Sequence, residues 1–556
     1  MIGTIVRIVL ELGGSIAIFL YGMQLCSDGI QRAAGDRLQK TVNFMTSNRL
    51  MGVLTGALVT VLIQSSSATT VMVVSFVNAG LLSLTQAIGV IMGANVGTTL
   101  TGWIIAAVGV GKFDILTLAV PLFGLGFFLS LLRRRSANLR PLGETLMGFA
   151  IIFLGLNFLS HSIPAPGGDA LLFLQNLAGS GWLAIILCVL AGTVFTVLVS
   201  ASSATQAIAI GMAIKGVISF EMAAALTLGA NIGTTFNGFL VSLRSNTMAK
   251  RAAWAHILFN LFGSLWVLAV FRPFLSLVDW ITPGALSEAT VAVHLAMFHT
   301  VFNIANTVVL FPFVRHYAAL VSGMIRQKPG ELCARSVLHY SAPLMGTPEL
   351  NLVSARKEIS DMAGVARGLF SRFVADARQA PQDMEAELRW FTAESAYLNS
   401  MRDGLSRFLL ETMSHDPAER TQENIHHLLR VVNELDNIAG SCMNLVYLLE
   451  KRERKGLEPS KGELAGLEPY YEVALEFMQF IEENASKPIS ESQLDLATDM
   501  ENRLDRFRDD LRKKARKRMS AGSDIKAELL YIDMVRHIEK IGDFSFAIAG
   551  ALRALR

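Results

Sequence analysis

Uncharged apolar stretches alternate with short basic loops over roughly the first 315 residues of the chain, and a strongly charged segment follows. Residues 51–110 and residues 183–214 contain no Asp, Glu, Lys or Arg. Stretches of that length can cross a lipid bilayer or reach deep into it. Beyond Arg315 the charged residues recur with helical periodicity, which is typical of soluble helices. The pattern predicts an all-α chain with a polytopic membrane part and a soluble helical part.

Two motifs occur twice in the membrane part at one constant spacing. The stretch "GALVTVLIQSSSATTVMVV" at residues 56–74 matches "GTVFTVLVSASSATQAIAI" at residues 192–210, an offset of 136 residues. The same offset relates "GANVGTT" at residues 93–99 to "GANIGTT" at residues 229–235. Two motifs in one register are hard to obtain by chance, so we expect the membrane part to consist of two homologous halves.

A weaker similarity, between "YGMQLCSDGI" at residues 21–30 and "LGLNFLSHSI" at residues 154–163, indicates that each half opens with one helix. A polar segment with helix-breaking Gly and Pro residues separates the membrane part from the soluble part. The predicted domains are a first membrane repeat at 1–140, a second repeat with a final helix at 141–325, a linker at 326–350 and a cytosolic helical domain at 351–556.

Basic residues cluster at four places along the membrane part, and membrane proteins keep such clusters in the cytoplasm. The clusters lie before the first serine motif, between the halves, after the second GAN motif and at Arg315. With all four in the cytoplasm, the first serine segment enters and leaves from the cytoplasmic side and the second from the outer side. We therefore predict two inverted repeats with re-entrant hairpins, in a multi-pass plasma membrane protein whose C-terminal domain is cytoplasmic.

The stretch "VLIQSSSATTVM" at residues 61–72 places hydroxyl and amide side chains inside an apolar run. A helix is interrupted in lipid only where its freed backbone groups line a cavity, and inverted-repeat transporters bind substrate at such breaks. The half-helices that begin after Ser67 and Ser203 would direct their N-terminal amides at a small oxyanion. Ser and Thr also mediate helix packing in membranes, but their duplication together with the GAN motif favours a binding site.

The absence of charged side chains from these stretches limits how ions can be held. An anion would be bound by helix dipoles and hydroxyls, and a coupling cation by neutral oxygens. Besides main-chain carbonyls, the predicted cation ligands are side chains near the two motifs: Gln64, Asn95, Thr98, Ser200, Asn231 and Thr234.

The motif "QSSSATT" with "GANVGTT", repeated as "SASSATQ" with "GANIGTT", resembles the type II sodium-dependent phosphate cotransporter family over roughly residues 8–315. The resemblance implies inorganic phosphate as substrate, sodium as the coupling ion, no other cofactor and no enzymatic activity. The second copy departs from the family pattern, because Ser200 and Ala201 stand where Gln and Ser are expected. The phosphate-binding residues that the resemblance implies are Gln64, Ser65, Ser66, Ser67, Ser202, Ser203 and Thr205.

The soluble part carries a second resemblance. The stretch "RHIEKIGDFSFAIA" at residues 536–549 resembles the E-x-x-x-D helix of PhoU proteins, which are cytosolic helical bundles that regulate phosphate uptake. A partner stretch, "NELDNIAGSCMNL" at residues 433–445, has Gly440 where the second Asp is expected. Carboxylates of this family can hold metal ions, which implies Glu539 and Asp543 as metal ligands. The alternative is that they are surface carboxylates paired with Arg or Lys.

Two short segments, "HILFN" at residues 256–260 and "HTVFN" at residues 299–303, each contain a His and an Asn four residues apart. On a helix this spacing puts both side chains on one face, where they can bond to each other or to a neighbouring helix. We interpret them as structural bracing. A proton relay or a substrate contact is the alternative, since ionisable groups in membranes are often functional.

Composition narrows the function further. The net charge of +3 is too small to indicate nucleic-acid binding, and the four cysteines are too far apart in sequence for a zinc site or a disulfide framework. We predict sodium-coupled phosphate transport by alternating access in a bacterial inner membrane, with a regulatory cytosolic domain. The alternative is a membrane phosphate sensor that acts through its PhoU-like domain. The direction of transport, the stoichiometry, a homo-oligomer, a cytosolic regulatory partner and its signal stay open.

Overall fold

The chain folds into two compact units, Met1–Glu331 and Leu332–Arg556, here called the membrane unit and the C-terminal unit. Of the predicted linker at 326–350, residues 327–347 lie outside the described residues. The computed structural model describes residues 2–34, 48–78, 82–110, 115–134, 137–163, 181–243, 245–326, 348–414, 417, 419–457 and 461–555.

Helices form nearly all of the described membrane unit. A 3-10 turn, Phe311–Phe313, precedes the last of them, and a two-residue antiparallel ladder pairs β1, Arg133–Arg134, with β2, Ala137–Asn138. The helices, in chain order, are α1 Ile2–Ala34, α2 Arg49–Ile63, α3 Ser66–Asn78, α4 Leu84–Val110, α5 Ile115–Leu131, α6 Arg140–Ser162, α7 Trp182–Val199, α8 Ser202–Ile214, α9 Phe220–Ser242, α10 Thr247–Ala269, α11 Phe271–Ile281, α12 Val291–Leu310 and α13 Val314–Met324.

Several of these helices have the length and apolarity of membrane spans. Large apolar side chains such as Leu10, Leu187 and Phe262 are exposed on them, and an apolar surface of this kind suits contact with lipid. The prediction of an all-α, polytopic membrane protein is confirmed. Within the described residues, six helical segments qualify as spans: Val6–Ala33, Leu84–Ala107, Arg140–Ser162, Trp182–Val199, Thr247–Ala269 and Val291–Met324.

Two helical hairpins, α2 with α3 and α7 with α8, contain the two serine motifs. The second helix of each hairpin, α3 or α8, has 13 residues. At 1.5 Å per residue such a helix is about 20 Å long, less than the ~30 Å thickness of the hydrocarbon core. Neither α3 nor α8 is long enough to cross a bilayer by itself.

The glycines of the duplicated GAN motif let neighbouring helices touch along their backbones. A Cβ built on Gly93 of α4 would lie 1.9 Å from the carbonyl oxygen of Val53 on α2. At the positions 136 residues later, a Cβ on Gly229 of α9 would lie 2.0 Å from the carbonyl oxygen of Val189 on α7. Only glycine permits so close an approach. The two glycines therefore seat α4 and α9 against their hairpins in the same way.

The helices that open the two predicted halves, α1 and α6, pack against each other along another set of glycines. Gly22 of α1 approaches the backbone at Ile152, and Gly29 approaches the backbone at Thr145. Residue numbers on α6 fall as those on α1 rise, so the two helices run antiparallel.

The described C-terminal unit is entirely helical and buries one apolar core of its own. Its third helix packs against its last helix, and its exposed surface carries many ion pairs, such as Arg372 with Glu387. In chain order the helices are α14 Pro348–Arg378, α15 Met384–Met413, α16 Glu419–Arg454, α17 Lys461–Asn484, α18 Glu491–Ser520 and α19 Ile525–Ala554.

We predict that Gly93→Ala and Gly229→Ala each destabilise the membrane unit, because the added methyl group would overlap a carbonyl oxygen of the adjoining helix. Overpacking of this kind costs about 1–3 kcal/mol, occasionally more. Thermal unfolding of the purified protein in detergent should show a lower melting temperature for both variants.

The matched control for this experiment is Gly13→Ala on α1, where nothing lies within 4 Å of an added Cβ. Alanine favours a helix over glycine, so this variant should melt at the wild-type temperature or above it. If Gly93→Ala melts no lower than Gly13→Ala, then α2 and α4 are not in backbone contact at Gly93.

Candidate functional site

Both hairpins turn at a residue in the left-handed backbone conformation. Gln64, which follows α2, has a φ of 54°, and Ser200, which follows α7, has a φ of 58°. In the described part of the chain no other non-glycine residue has a positive φ. For residues with a side chain this conformation costs about 1–3 kcal/mol, persists only where the surroundings enforce it, and is concentrated at functional sites. The two tips are therefore candidate binding positions, at equivalent places in the two halves.

The side chains of the first tip bond the backbone groups that the break sets free. Gln64 donates from Nε2 to the carbonyl oxygen of Val61 at 2.6 Å, and its Oε1 accepts from the hydroxyl of Thr101 on α4 at 3.2 Å. The hydroxyl of Ser65 accepts from the amide of Ala68 at 3.1 Å. Ser65 therefore caps the N-terminus of α3.

The two tips are connected by Asn237 on α9. Its Nδ2 donates to Oγ of Ser67 at 3.2 Å and to the carbonyl oxygen of Ser200 at 3.4 Å. One amide group thus contacts the first turn of α3 and the C-terminal end of α7. The structure brings a residue of the first serine motif close to the tip of the second.

The second tip lacks the side-chain cap that the first tip has. Ala201 precedes α8 and has no side chain that could accept from the first amides of that helix. Ser202 and Ser203 are half-buried at the start of α8, as Ser67 is at the start of α3, where Ser66 is buried. Amides in the first turn of a helix have no partner within the helix and bind an oxyanion favourably. Both tips can therefore offer amides and hydroxyls, and no charged side chain, to a ligand.

Thr205, a predicted phosphate ligand, lies inside the second hairpin. Its hydroxyl is 2.6 Å from the hydroxyl of Thr196 on α7, and the equivalent pair in the first hairpin, Thr60 and Thr69, is separated by 3.0 Å. All four side chains are buried. These bonds fasten the two helices of each hairpin to each other, and the binding role of Thr205 stays a prediction.

Three of the predicted cation ligands on α4 and α9 donate to their own helices. Asn95 donates to the carbonyl oxygen of Ile91 at 2.8 Å. Thr98 and Thr234 donate to carbonyl oxygens one turn earlier, at 3.0 and 2.9 Å. An oxygen on a group that donates in this way keeps its lone pairs. All three oxygens can therefore still accept a cation.

Asn231, the equivalent of Asn95 in the second half, belongs to a side-chain network. Its Oδ1 accepts from Nε2 of His299 on α12 at 3.1 Å, and Nδ1 of His299 accepts from Nε2 of Gln206 on α8, also at 3.1 Å. One neutral tautomer of the imidazole satisfies both bonds. His299 thus links α8 to α9, which agrees with the bracing interpretation of its motif. His256 differs, because both of its buried ring nitrogens lack a hydrogen-bond partner among the described residues.

Sequence analysis missed Thr101, Asn237 and Gln206 as members of the site. Thr101 and Asn237 are 136 residues apart and lie two positions beyond the paired GAN motifs. The repeat register, followed past the last matching letters, would have indicated both. Gln206 replaces the threonine of the first half and is seen to matter only through its contact with His299.

In the C-terminal unit, the predicted metal ligands lie beside an arginine and another carboxyl group. Glu539 on α19 accepts from Nη1 of Arg508 on α18 at 2.6 Å. Asp543, one turn later, is near Glu501 on α18 and adds to the rise in the pKa of Glu501 that burial causes. Over the described residues, no group of three or more His, Cys, Asp or Glu side chains is arranged to hold a metal ion. The ion pair weighed against metal binding is present, and metal binding by Glu539 and Asp543 stays a prediction.

The sequence model of the Na+/Pi-cotransporter family matches residues 18–161 and 172–273. The chain is 29% identical over 439 residues to the "Putative inorganic phosphate export protein YjbB" of Escherichia coli (strain K12). This match covers 77% of the chain and 76% of the relative. It is 29% identical over 319 residues to "Uncharacterized protein YqeW" of Bacillus subtilis, with 56% of this chain and 97% of that protein covered.

The human "Sodium-dependent phosphate transport protein 2B" is 40% identical to the chain over a shorter segment of 107 residues. That segment covers 19% of this chain and 15% of the human protein. No solved structure matches the chain significantly.

We predict that Glu501→Gln stabilises the C-terminal unit at alkaline pH. Burial, and then the neighbouring carboxyl of Asp543, raise the pKa of Glu501 to about 8. A carboxyl whose pKa is higher in the folded state contributes stability at low pH that is lost as the pH rises towards that pKa. Gln has no charge to bury at any pH, so the variant does not lose this stability as the pH rises. Chemical unfolding of the fragment 348–556 should show the variant more stable than wild type, on the order of 1–2 kcal/mol at pH about 8, with the gap narrowing towards pH about 5.

Glu483→Gln serves as the control for this pH dependence, because Glu483 is exposed on α17. Its stability difference from wild type should stay near zero across the same range. A gap between Glu501→Gln and wild type that widens as the pH falls would contradict the raised pKa of Glu501.

Proposed function

We propose, from the match of its membrane unit to the Na+/Pi-cotransporter family, that the chain is a member of this family and carries inorganic phosphate across the plasma membrane together with sodium ions. The family is one of transporters, so the chain is not an enzyme. The observation that carries the proposal is the connection of two uncharged, serine-rich hairpin tips through Asn237. A small oxyanion placed there would meet helix N-termini and hydroxyl donors from both halves.

Phosphate is proposed to bind at the first turns of α3 and α8. Binding by amides and hydroxyls without a fixed positive charge holds the anion while allowing its release, which a carrier requires. The residues proposed to contribute are the tip residues and the serines that follow them, with Thr205 one turn into α8: Gln64, Ser65, Ser66, Ser67, Ser202, Ser203 and Thr205.

Sodium is proposed to be held by neutral oxygens close to the tips. Hard cations of this kind prefer carbonyl and hydroxyl oxygens, and transporters of broken-helix architecture use unwound carbonyls for their coupling ions. The name of the human relative, a sodium-dependent phosphate transport protein, agrees with this choice of ion. The proposed ligands, besides main-chain carbonyls, are Gln64, Asn95, Thr98, Ser200, Asn231 and Thr234.

Alternating access is proposed to arise from two inverted repeats. Homologous helices that are related by a two-fold axis in the membrane plane run antiparallel, as α1 and α6 do. The hairpins break at Gln64 and Ser200 with the same backbone conformation. Both observations support repeats of equal structure and opposite orientation.

The direction of net transport is proposed to follow the combined sodium and phosphate gradients. The relative from Escherichia coli is named for phosphate export, whereas the human relative is named for sodium-dependent transport. A carrier has no built-in direction, so one binding site is compatible with either name.

The C-terminal unit is proposed to be a cytoplasmic, PhoU-like regulator of the carrier. Its helices form two sets of three, and equivalent ion pairs join the second helix to the third in each set: Arg402 with Asp436, and Arg508 with Glu539. Such internal duplication suits the two three-helix halves expected of a PhoU-like bundle.

The decisive experiment is transport by the purified protein in liposomes. An inward sodium gradient should drive accumulation of labelled phosphate, and replacement of sodium by choline should abolish it. Equal accumulation in choline would show that sodium is not the coupling ion. The absence of phosphate movement under both conditions would favour a phosphate sensor that acts through the C-terminal unit.

In the same assay we predict that Gln64→Ala, Ser66→Ala and Ser203→Ala each weaken the apparent affinity for phosphate or sodium. Loss of one hydrogen bond in a desolvated site leaves a partner unpaired and costs about 1–3 kcal/mol, or roughly 5- to 150-fold in affinity. Ser83→Ala is the control, because Ser83 is exposed at the start of α4, away from the tip. Three site variants with unchanged affinities for both ions would make the serine motifs packing elements, and the site would lie elsewhere.

A further inference from the structure

Each hairpin tip is paired with one residue on its supporting helix, which is α4 in the first half and α9 in the second. One member of each pair is an amide side chain, but it is not the same member in the two halves. In the first half the pair is Gln64 at the tip and Thr101 on α4, and in the second half it is Ser200 at the tip and Asn237 on α9. Each half therefore has one amide and one hydroxyl, and the two have exchanged places. The glutamine that the family pattern expects at Ser200 is absent, but an amide is present 37 residues later.

Contacts in the structure show that the exchange keeps each tip joined to its supporting helix. Thr101 donates to the side chain of Gln64 at 3.2 Å, whereas Asn237 donates to the main-chain carbonyl of Ser200 at 3.4 Å. The short tip residue in the second half is thus compensated by a longer residue on the helix. In both halves an amide occupies the space between tip and helix.

Asn237 does more than replace this link, because it also bonds to the other hairpin. Its Nδ2 donates to Oγ of Ser67 at 3.2 Å. A serine hydroxyl that accepts from one group can direct its own hydrogen at another. The bond from Asn237 thereby prepares Ser67 to donate to an oxyanion at the first turn of α3.

The backbone next to Asn237 is held firmly against the first hairpin. A Cβ on Gly238 would lie 2.8 Å from Cγ2 of Thr70 on α3, so α9 and α3 are in close contact there. The position of the Asn237 amide relative to α3 is consequently set by packing of the two helices and does not depend on a flexible loop.

We propose that Asn237 is the second half's counterpart of Gln64: it supplies the amide of the phosphate site that the sequence departure at Ser200 removed, and it orients Ser67 as a donor. This inference rests on the proposed function, since it assigns a further residue to the same phosphate site. It also explains how the second motif can lack its glutamine while both hairpins keep the same geometry.

The test is to move the amide back to the tip. Asn237→Thr should raise the phosphate KM about 5- to 30-fold and have a smaller effect on the maximal rate. This factor corresponds to the loss of one or two hydrogen bonds, at about 1–2 kcal/mol in total. The double variant Ser200→Gln with Asn237→Thr reproduces the pair found in the first half, and it should recover a KM within about 3-fold of wild type. Gln is tolerated at the left-handed position, as Gln64 already shows. Asn157→Thr, the same change on α6, is the control and should leave the KM unchanged.

A second readout separates this inference from the proposed function. Inorganic phosphate should raise the melting temperature of the detergent-purified protein, and the apparent Kd from that shift should follow the same order among the variants. If wild type does not transport but is stabilised by phosphate, the transport proposal fails and the Kd values still decide the role of Asn237. If the wild-type protein neither transports phosphate in liposomes nor is stabilised by it, both the proposed function and the role of Asn237 are overturned.

Two results would overturn the assignment of Asn237 alone. One is an Asn237→Thr protein with wild-type KM and Kd. The other is a double variant that folds but remains as impaired as Asn237→Thr. Asn237 would then be a purely structural link, which an amide at the tip cannot replace. If Asn237→Thr cannot be purified, the double variant decides, since it lacks Asn237 but has the amide.

Discussion

The membrane unit is governed by one requirement of its solvent: in a bilayer every backbone amide and carbonyl must find a partner within the protein. A helix can break at membrane depth only where side chains or neighbouring helices bond the groups that the break sets free. Gln64 and Ser65 do this within the first hairpin, by bonding to Val61 and Ala68. At the second break the carbonyl of Ser200 is bonded by Asn237, which comes from another helix.

The same requirement explains the glycines that flank the hairpins. Backbone contact excludes lipid from the surroundings of the break, and it is possible only where side chains are absent. Besides the GAN glycines, Gly56 of α2 faces the carbonyl of Val90, and Gly192 of α7 faces the carbonyl of Leu226. Each hairpin is thus in contact with its supporting helix through glycines on both sides. These glycines have a packing role, whereas the serines at the tips remain available to a ligand.

The helix breaks and the equivalence of the two hairpins could be predicted because they depend on local composition and on a constant register. A run of small polar residues in an apolar stretch indicates a break, and α2 and α7 do end at Ile63 and Val199, directly before the two tips. The role of His299 could not be predicted in this way. It lies on α12, outside the repeat register, and its partners Gln206 and Asn231 become neighbours only through tertiary packing.

The same distinction holds for the C-terminal unit. The four-residue spacing of Glu539 and Asp543 on one helix is a local pattern, and sequence analysis found it. Glu501, the carboxyl near Asp543, belongs to α18, and its raised pKa depends first on burial. Burial of a carboxyl cannot be inferred from the spacing of charges along one helix, because a buried and an exposed glutamate have the same letter.

The backbone contacts at Gly93 and Gly229 also determine which parts of the membrane unit can move. Helices in contact at a carbonyl oxygen cannot slide or rotate by a fraction of a turn without a collision, since packed interfaces shift between discrete arrangements and do not deform continuously. We therefore expect each hairpin and its supporting helix to move together as one rigid body. Relative motion is left to other interfaces, where side chains meet side chains and can change partners. Stiffness and mobility are thus assigned to different surfaces of the same helices.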